Sequence, residues 1–382
     1  MTRIAISTLI VRPGLSGSNE SYLVNLVAAL QHVDRDNDYL LFVTPQNAQL
    51  FTVFNARFRL IHVPRWAHSR LGRIALDQLL IPYWAKRLRA EILHYPGSVG
   101  SALKLGRPKQ VVTVHYDIDP LHAPSVGWIK KAYFAMAMRW IRKAASAIIV
   151  PSHTLGQSLL TRWGLPASKL RVVHHGVDTA NGARRHRADD RHVLDRIGVT
   201  PGYLLSVTNA LPHKNVPCLL EAYALLSEEF ERAAPLLIVG DMSSSTLREW
   251  ARGLASRGIR VPSDRIVVTG RLPSVDLQVL YEHAGLMVTP TLTESFSLPL
   301  LEAMVHGCPV VASDIPAHRE IGGDAVILVD PGSPRQFADA CARVLGDPTS
   351  RAMLVKHGRE RARGMSWDRT ARETVAVYAS VG

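Results

Sequence analysis

Twelve short apolar runs, alternating with stretches of helical period, constrain this 382-residue chain more than any other feature. RIAISTLIV, YLLFVTP, FRLIHVP, EILHYP, KQVVTVHY and SAIIVPS are short, rich in β-branched residues and separated by helical stretches. That alternation predicts a doubly wound sheet. From about residue 201 the plan repeats in YLLSVTN, PLLIVGD, RIVVTG, GLMVTP, CPVVAS and AVILVD, so two similar α/β domains are expected. Between the series, GVDTANGARRHRADDRHVL loses apolar periodicity and gathers Gly, Asp and Arg, which marks a linker near residues 176–192. The expected limits are 1–182 for the first domain, 183–365 for the second and 366–382 for a closing helical segment.

A hydrophobic content of 47% suffices for two cores, and the length exceeds the usual size of one. Cys218, Cys308 and Cys341 are far apart and show no paired spacing, so neither a disulfide framework nor a zinc cage is implied. The opening MTRIAISTLIV is too short an apolar run for a signal peptide, and no later stretch is long enough to span a bilayer. A cytoplasmic protein is therefore expected. Charge is uneven: residues 1–182 hold 22 Lys and Arg against 9 Asp and Glu, whereas residues 183–382 hold 23 of each. The densest part, residues 57–109, carries 11 basic and 2 acidic residues among Trp66, Tyr83, Trp84 and the apolar run Ile74 to Ile81. Basic side chains contribute about 1 kcal/mol each at an anionic lipid surface, where Trp and Tyr also settle. A peripheral position on the inner face of the membrane is one reading and a soluble basic face is another. No nucleic-acid recognition motif or basic recognition helix is present, so nucleic acid is not expected as a partner.

The run TPTLTESFSLPLLEAMVHGCPVVAS, from Thr289, bears the chemistry. A buried strand ends at Pro290, and Pro299 can sit only in the first turn of a following helix. Glu294 and Glu302 stand eight residues apart across that loop-to-helix switch. Ser297 reads as the N-cap, Leu300, Leu301 and Met304 as the apolar stripe, and Gly307 with Pro309 as the stop. A strand-end loop of this kind faces the ligand crevice of an α/β sheet, and free backbone amides at Phe296, Ser297 and Leu298 favour an anion such as a nucleotide diphosphate, with Ser295 beside them among the donor-binding residues.

This segment resembles the Glu-x7-Glu signature of retaining glycosyltransferases of the GT-B fold, especially family 4. The resemblance covers nearly the whole chain and implies two Rossmann-like domains facing a cleft, the first for the acceptor and the second for the nucleotide sugar. It also implies a last helix, GMSWDRTARETVAVY, crossing back onto the first domain, with Trp367 as packing. Glu294 would then contact the transferred sugar and Glu302 the ribose hydroxyls, since a carboxylate accepts two hydroxyls at once. Ser295 and Ser297 stand where the family frequently has glycine. In SVTNALPHKNVPCLLEAY, Lys214 and Asn215 resemble the family's P-x-K-N element, and a lysine at a helix start can hold a departing diphosphate. The family often adds an arginine at the preceding strand end. Here Thr208 and Asn209 occupy that place, and His213 is the candidate replacement.

In the first domain, Gly14 and Gly17 resemble the family's Gly-rich loop, with an N-cap expected at Ser18 or Asn19; the resemblance implies that this loop borders the donor phosphates and the acceptor, with Gly17 among the donor-binding residues. His115 in TVHYDIDP lies at a strand end where the resemblance places a histidine beside the reacting sugar. Asp117-Ile118-Asp119 makes an Asp-x-Asp, the metal motif of the unrelated GT-A fold, but no second acidic cluster accompanies it. No metal or other cofactor is expected, because lysine and helix dipoles take the metal's place in GT-B. HHGVD, with His174 and His175, resembles the family's domain-junction stretch, and Glu320 matches a further family position. The implied activity is transfer of a mannose-, rhamnose- or glucose-type hexose to an acceptor hydroxyl, such as a polyprenyl-linked glycan of an envelope polysaccharide. An oxocarbenium-like step is favoured over Glu294 as covalent nucleophile. The rivals are a GT-B sugar-nucleotide epimerase and a non-catalytic protein that binds a nucleotide sugar or an anionic surface.

Overall fold

The computed structural model describes every residue except 15–16, 98–99, 103–107, 118–126, 179–186 and 230–233. Ile118 and Asp119 of the Asp-x-Asp, and much of the expected linker, therefore lie outside the described residues. Two compact units are present: one holds Met1–Asp119, Pro124–Gly176 and Met365–Gly382, the other Val177–Gly364. The division falls at Gly176, ahead of the limit placed at residue 182.

The first unit contains β1 (Arg3–Ser7), β2 (Asp38–Val43), β3 (Phe58–His62), β4 (Ile92–Tyr95), β5 (Lys109–Thr113), β6 (Ala145–Val150) and β7 (Leu170–Val172). They form one sheet in the order β3-β2-β1-β4-β5-β6-β7, with every pair parallel. The second unit contains β8 (Leu204–Val207), β9 (Leu236–Val239), β10 (Ile266–Gly270), β11 (Leu286–Thr289), β12 (Val310–Ser313) and β13 (Ile327–Val329). Its order is β10-β9-β8-β11-β12-β13, again all parallel. Central strands such as β4 and β12 are buried along their whole length, as strands covered on both faces must be. Only β7 escapes the sequence pattern. Its Leu-Arg-Val is three residues long, half-buried and at the sheet edge.

In both sheets the order reverses beside the first strand of the unit, between β1 and β4 and between β8 and β11. Loops leaving strand ends at such a reversal diverge and open a ligand crevice. The loop after β8 carries Lys214, and the loop after β11 carries Glu294.

The closing helix, Trp367–Val381, belongs to the first unit and packs along the helix Ser18–Val33. Tyr378 Oη lies 2.7 Å from His94 Nδ1, and the other ring nitrogen of His94 lies 2.8 Å from Thr113 Oγ1. The helix is thus fastened to two buried central strands. Thr370 donates to the His174 carbonyl at 2.8 Å, and a Cβ on Gly176 would sit 2.2 Å from the Trp367 nitrogen. Only glycine lets the two chain segments cross there.

Two expected caps are corrected. The helix Ser18–Val33 has Gly17 at its N-cap position with no side-chain cap, so neither Ser18 nor Asn19 plays that part. Gly17 is held at φ 50°, which a side chain there would resist, and Glu20 instead reaches back to the Gly14 amide at 2.9 Å. Ser297 does stand at the N-cap position of Leu298–Val305, but in the left-handed region at φ 73°, with its side chain making no cap. Glycine suits that conformation, which is a physical reason for the residue frequent there in the family. The stop at Gly307 is a Schellman closure: Gly307 N–H bonds Met304 O at 3.2 Å and Cys308 N–H bonds Ala303 O at 2.8 Å.

Candidate active site

In the second unit, β8 ends at Val207 and the chain turns through Thr208 and Asn209, where the Asn209 side-chain oxygen accepts from Leu211 N–H at 3.0 Å. Gly240, at the end of β9, backs this turn so closely that a Cβ would lie 1.8 Å from the Thr208 carbonyl. A single 3₁₀ turn, Pro212–Lys214, follows, and Asn215 in the left-handed region at φ 52° starts the helix Val216–Glu229. Asn215 bonds the carbonyls of Pro290 at 3.1 Å and Pro331 at 2.9 Å, tying three strand-end loops together. The His213 carbonyl accepts from Leu292 N–H at 2.7 Å and from the Thr291 hydroxyl at 2.8 Å. The β8 and β11 loops are in this way sewn side by side.

That stitching brings the Lys214 ammonium onto Glu294 Oε1 in a hydrogen-bonded ion pair, with both side chains mostly buried. Burial alone would raise the Glu294 pKa. The Lys214 charge and hydrogen bond outweigh it, with His318 and His213 acting the same way, and hold the carboxyl below its ordinary range. Glu302 lies on the helix after Ser297, and one of its oxygens accepts from Tyr281 Oη at 2.9 Å. Burial dominates here. It lifts the Glu302 pKa above the ordinary value against the Tyr281 hydrogen bond and the nearby His306. The Tyr281 ring in turn stacks on His306 at 6.0 Å, and His306 Nδ1 lies 3.1 Å from Glu282. Ser295, Phe296, Ser297 and Leu298 occupy the loop and first helical residue between the two carboxylates.

In the first unit, the ligand-side groups are held by their own domain. His115 is 8% exposed, donates from Nε2 to the Pro96 carbonyl at 2.9 Å, and meets the Tyr22 ring edge-on at 4.5 Å. Burial lowers its pKa to about 4, so the ring is neutral at neutral pH. His175 packs beside it at 5.3 Å and stacks on Trp367 at 6.2 Å, so this junction histidine is a core group of the first unit. Asp117 is consumed by Ser158 at 2.6 Å and the Trp163 indole N–H at 2.7 Å.

Two family models match the chain: Glycosyl transferases group 1 over residues 195–361 and Glycosyltransferase Family 4 over residues 20–181. A D-inositol 3-phosphate glycosyltransferase of Salinispora tropica is 30% identical over 347 residues, covering 83% of this chain and 72% of the relative. The chain belongs to the group 1 and family 4 glycosyltransferases. O-antigen chain mannosyltransferase B of Escherichia coli is 28% identical over 274 residues, 71% of each chain. Among solved structures, Anabaena HepE in complex with UDP and glucose matches with a TM-score of 0.73 at 17% identity over 100% of both chains, which establishes the GT-B fold.

Three polar groups of this glycosyltransferase escaped the sequence reading. Tyr281 and His318 sit within helices, where spacing does not reveal that the hydroxyl meets Glu302 or that the imidazole faces inward. Asp77 had a readable signal, a lone carboxylate in the apolar run IALDQLLIP. It lies on a π-helical turn, Leu76–Leu80, accepts from the Ser7 hydroxyl at the end of β1 at 2.6 Å, and is pushed up to about 7 by burial.

Proposed function

We propose that this glycosyltransferase moves a hexose from a nucleotide-sugar donor to an acceptor hydroxyl with retention of configuration. The observation that carries the reading is the Lys214–Glu294 pair at the strand-order reversal of the second sheet, one helix start from Glu302. Lys214 is a compact cation that can leave Glu294 for the diphosphate and balance the charge that grows on the leaving group. Glu294, freed from it and still ionised, accepts from the sugar hydroxyls, and Glu302 takes the ribose. No group is placed as a committed nucleophile, so an oxocarbenium-like step with same-face attack is favoured. Charge stabilisation by Lys214 and backbone amides requires no metal ion.

Mannosyltransferases of O-antigen chains among the relatives, and the UDP and glucose of the Anabaena complex, support a hexosyl donor and a role in polysaccharide assembly. The acceptor we assign is a lipid-linked glycan. Among the described residues no helix is long and apolar enough to cross a membrane. The basic first domain does expose Trp66, Leu79 and Tyr83 along the segment expected to meet anionic lipid, which suits a peripheral position on the inner face of the membrane.

The test is thermal stabilisation of the wild type, Lys214→Ala and Glu302→Ala by nucleoside diphosphates and nucleotide sugars. Stabilisation by one base family, weakened in both variants, supports the donor site and selects the donor for acceptor assays. Anomeric configuration of the product, read by NMR, then separates retention from inversion, and a product formed without acceptor identifies an epimerase. Absence of stabilisation by every nucleotide refutes the donor site.

A further inference from the structure

His318 is a titratable group beside the donor loops that the proposed chemistry leaves unused. It lies on the short helix Pro316–Gly322 after β12, wholly buried at 0% exposure. Its Nδ1 is 2.9 Å from the Ser313 carbonyl. A carbonyl can only accept, so Nδ1 carries the proton and the neutral ring presents a bare lone pair at Nε2. That buried nitrogen meets no donor among the described residues. Leaving such an acceptor unpaired in the interior is destabilising, and a fold that tolerates it calls for a reason.

The reason is found in what surrounds the ring. Glu294 and Lys214 both act on it electrostatically, Glu294 favouring its protonation and Lys214 opposing it. Burial is the largest influence and keeps the ring below its ordinary pKa while the two partners remain joined. His213 is the other imidazole that acts on Glu294. Arg319, next in sequence to His318, is turned to Asp314 in a bidentate pair.

When an anionic ligand draws the Lys214 ammonium away, two changes act on His318 in one direction. The cation that opposed protonation recedes, and the carboxylate that favours it loses its counter-charge. We propose that His318 is a positioning residue, the reserve cation of this site, taking a proton at Nε2 when a nucleotide sugar captures Lys214 and so holding the Glu294 carboxylate ionised and in place. The proton comes from solvent and returns there on release, so each binding event carries a net proton uptake. This inference rests on the reading of Lys214 as the diphosphate ligand.

The experiment is titration calorimetry with UDP-glucose and GDP-mannose in buffers of differing ionisation enthalpy between pH 6.5 and 8. A nucleotide sugar is the right probe because its diphosphate diester has no proton to exchange in that range. Wild type is expected to take up a fraction of a proton per ligand that grows as pH falls. His318→Gln should bind within about tenfold of wild type yet lose the uptake. Glu294→Gln, with His318 in place, should also lose it, because the carboxylate that demands the proton is gone. This second variant keeps the test open should His318→Gln melt early. Binding by wild type without uptake, or unchanged uptake in His318→Gln, overturns the role of His318 alone. Failure of wild type to bind either nucleotide sugar overturns the donor-site reading itself.

Discussion

The two sheets share an architecture and the same reversal of strand order, yet the polar groups at their ligand-side ends are used in opposite ways. In the first domain three of them are hydrogen-bonded within the domain's own packing: His115 to Pro96, His94 to Tyr378 and Thr113, Asp117 to Ser158 and Trp163. In the second, Lys214 and Glu294 hold one another, Glu302 is held by the Tyr281 hydroxyl, and His318 keeps a buried Nε2 with no hydrogen-bond partner among the described residues. A group whose partners are all structural contributes stability. One whose partner can be exchanged for a ligand contributes binding. On the function proposed above, the second copy of the fold is the one whose charges exchange partners with the donor.

The sharpest way to break that contrast is to remove the exchangeable cation. Lys214→Ala is expected to lower transfer activity about 10²–10³-fold, the cost typical of deleting one group that stabilises developing charge. It also leaves Glu294 buried without its counter-ion, so its pKa rises and donor binding becomes acid-sensitive. The matching change in the first domain, Tyr378→Phe, removes the Oη partner of a buried histidine. It is expected to lower stability by about 1–3 kcal/mol while activity per folded molecule stays within twofold. If Tyr378→Phe lost activity without losing stability, the division of labour would be wrong.

The pH response should follow the same line. Buried His94, lowered to about 3, His115, lowered to about 4, and His175, also held below the ordinary value, are all neutral when folded. The unfolded chain binds their protons at a pKa of about 6.5, so stability is fully present above that pH and is lost as pH falls toward 4. Asp77, raised to about 7, works the other way: its contribution is complete below the ordinary carboxyl pKa and is lost as pH rises toward 7. Among the described residues four depressed histidines, His318 included, stand against two raised carboxyls, Asp77 and Glu302, and the histidines outweigh them. Urea melts at pH 7.5, 6 and 5 should therefore show several kcal/mol of loss toward acid, reduced in His115→Phe. In the second domain, the lowered Glu294 acts later: its pair stabilises above the ordinary glutamate pKa and is lost only as pH falls through a lower value.

What could be read beforehand followed from kinds of information that spacing carries. Parallel strands covered on both faces must be apolar throughout, so twelve of thirteen strands stand out, and β7 hides because an edge strand of three half-buried residues need not be. Glu294, Glu302 and Lys214 are legible because Pro299 and the Pro-His-Lys-Asn turn mark where helices start. Tyr281 and His318 are not. Their roles depend on which way a ring turns inside the protein and on which oxygen it meets, and a helical period is the same for a ring turned to a carboxylate as for one turned to core. Ser297 lies between these cases, since its place at the helix start was evident but its left-handed backbone was not.

That backbone supplies the smallest and most specific test of the contrast. At φ 73° and ψ 67°, Ser297 bears a conformation that costs a side-chain-bearing residue about 1–2 kcal/mol, and its hydroxyl does not offset the cost by capping the helix. Glycine would relieve most of the strain but adds freedom to the unfolded chain, which returns part of the gain. Ser297→Gly is therefore expected to stabilise by no more than about 1 kcal/mol. If the strained residue belongs to the receptor and not to the framework, donor affinity should change with it, by about threefold, because its amide lies between Glu294 and Glu302. A gain in melting temperature with an unchanged nucleotide-sugar Kd would assign the strain to folding alone. Gly17→Ser, the reverse change at the first helix start of the first domain, should cost stability because φ 50° resists a side chain.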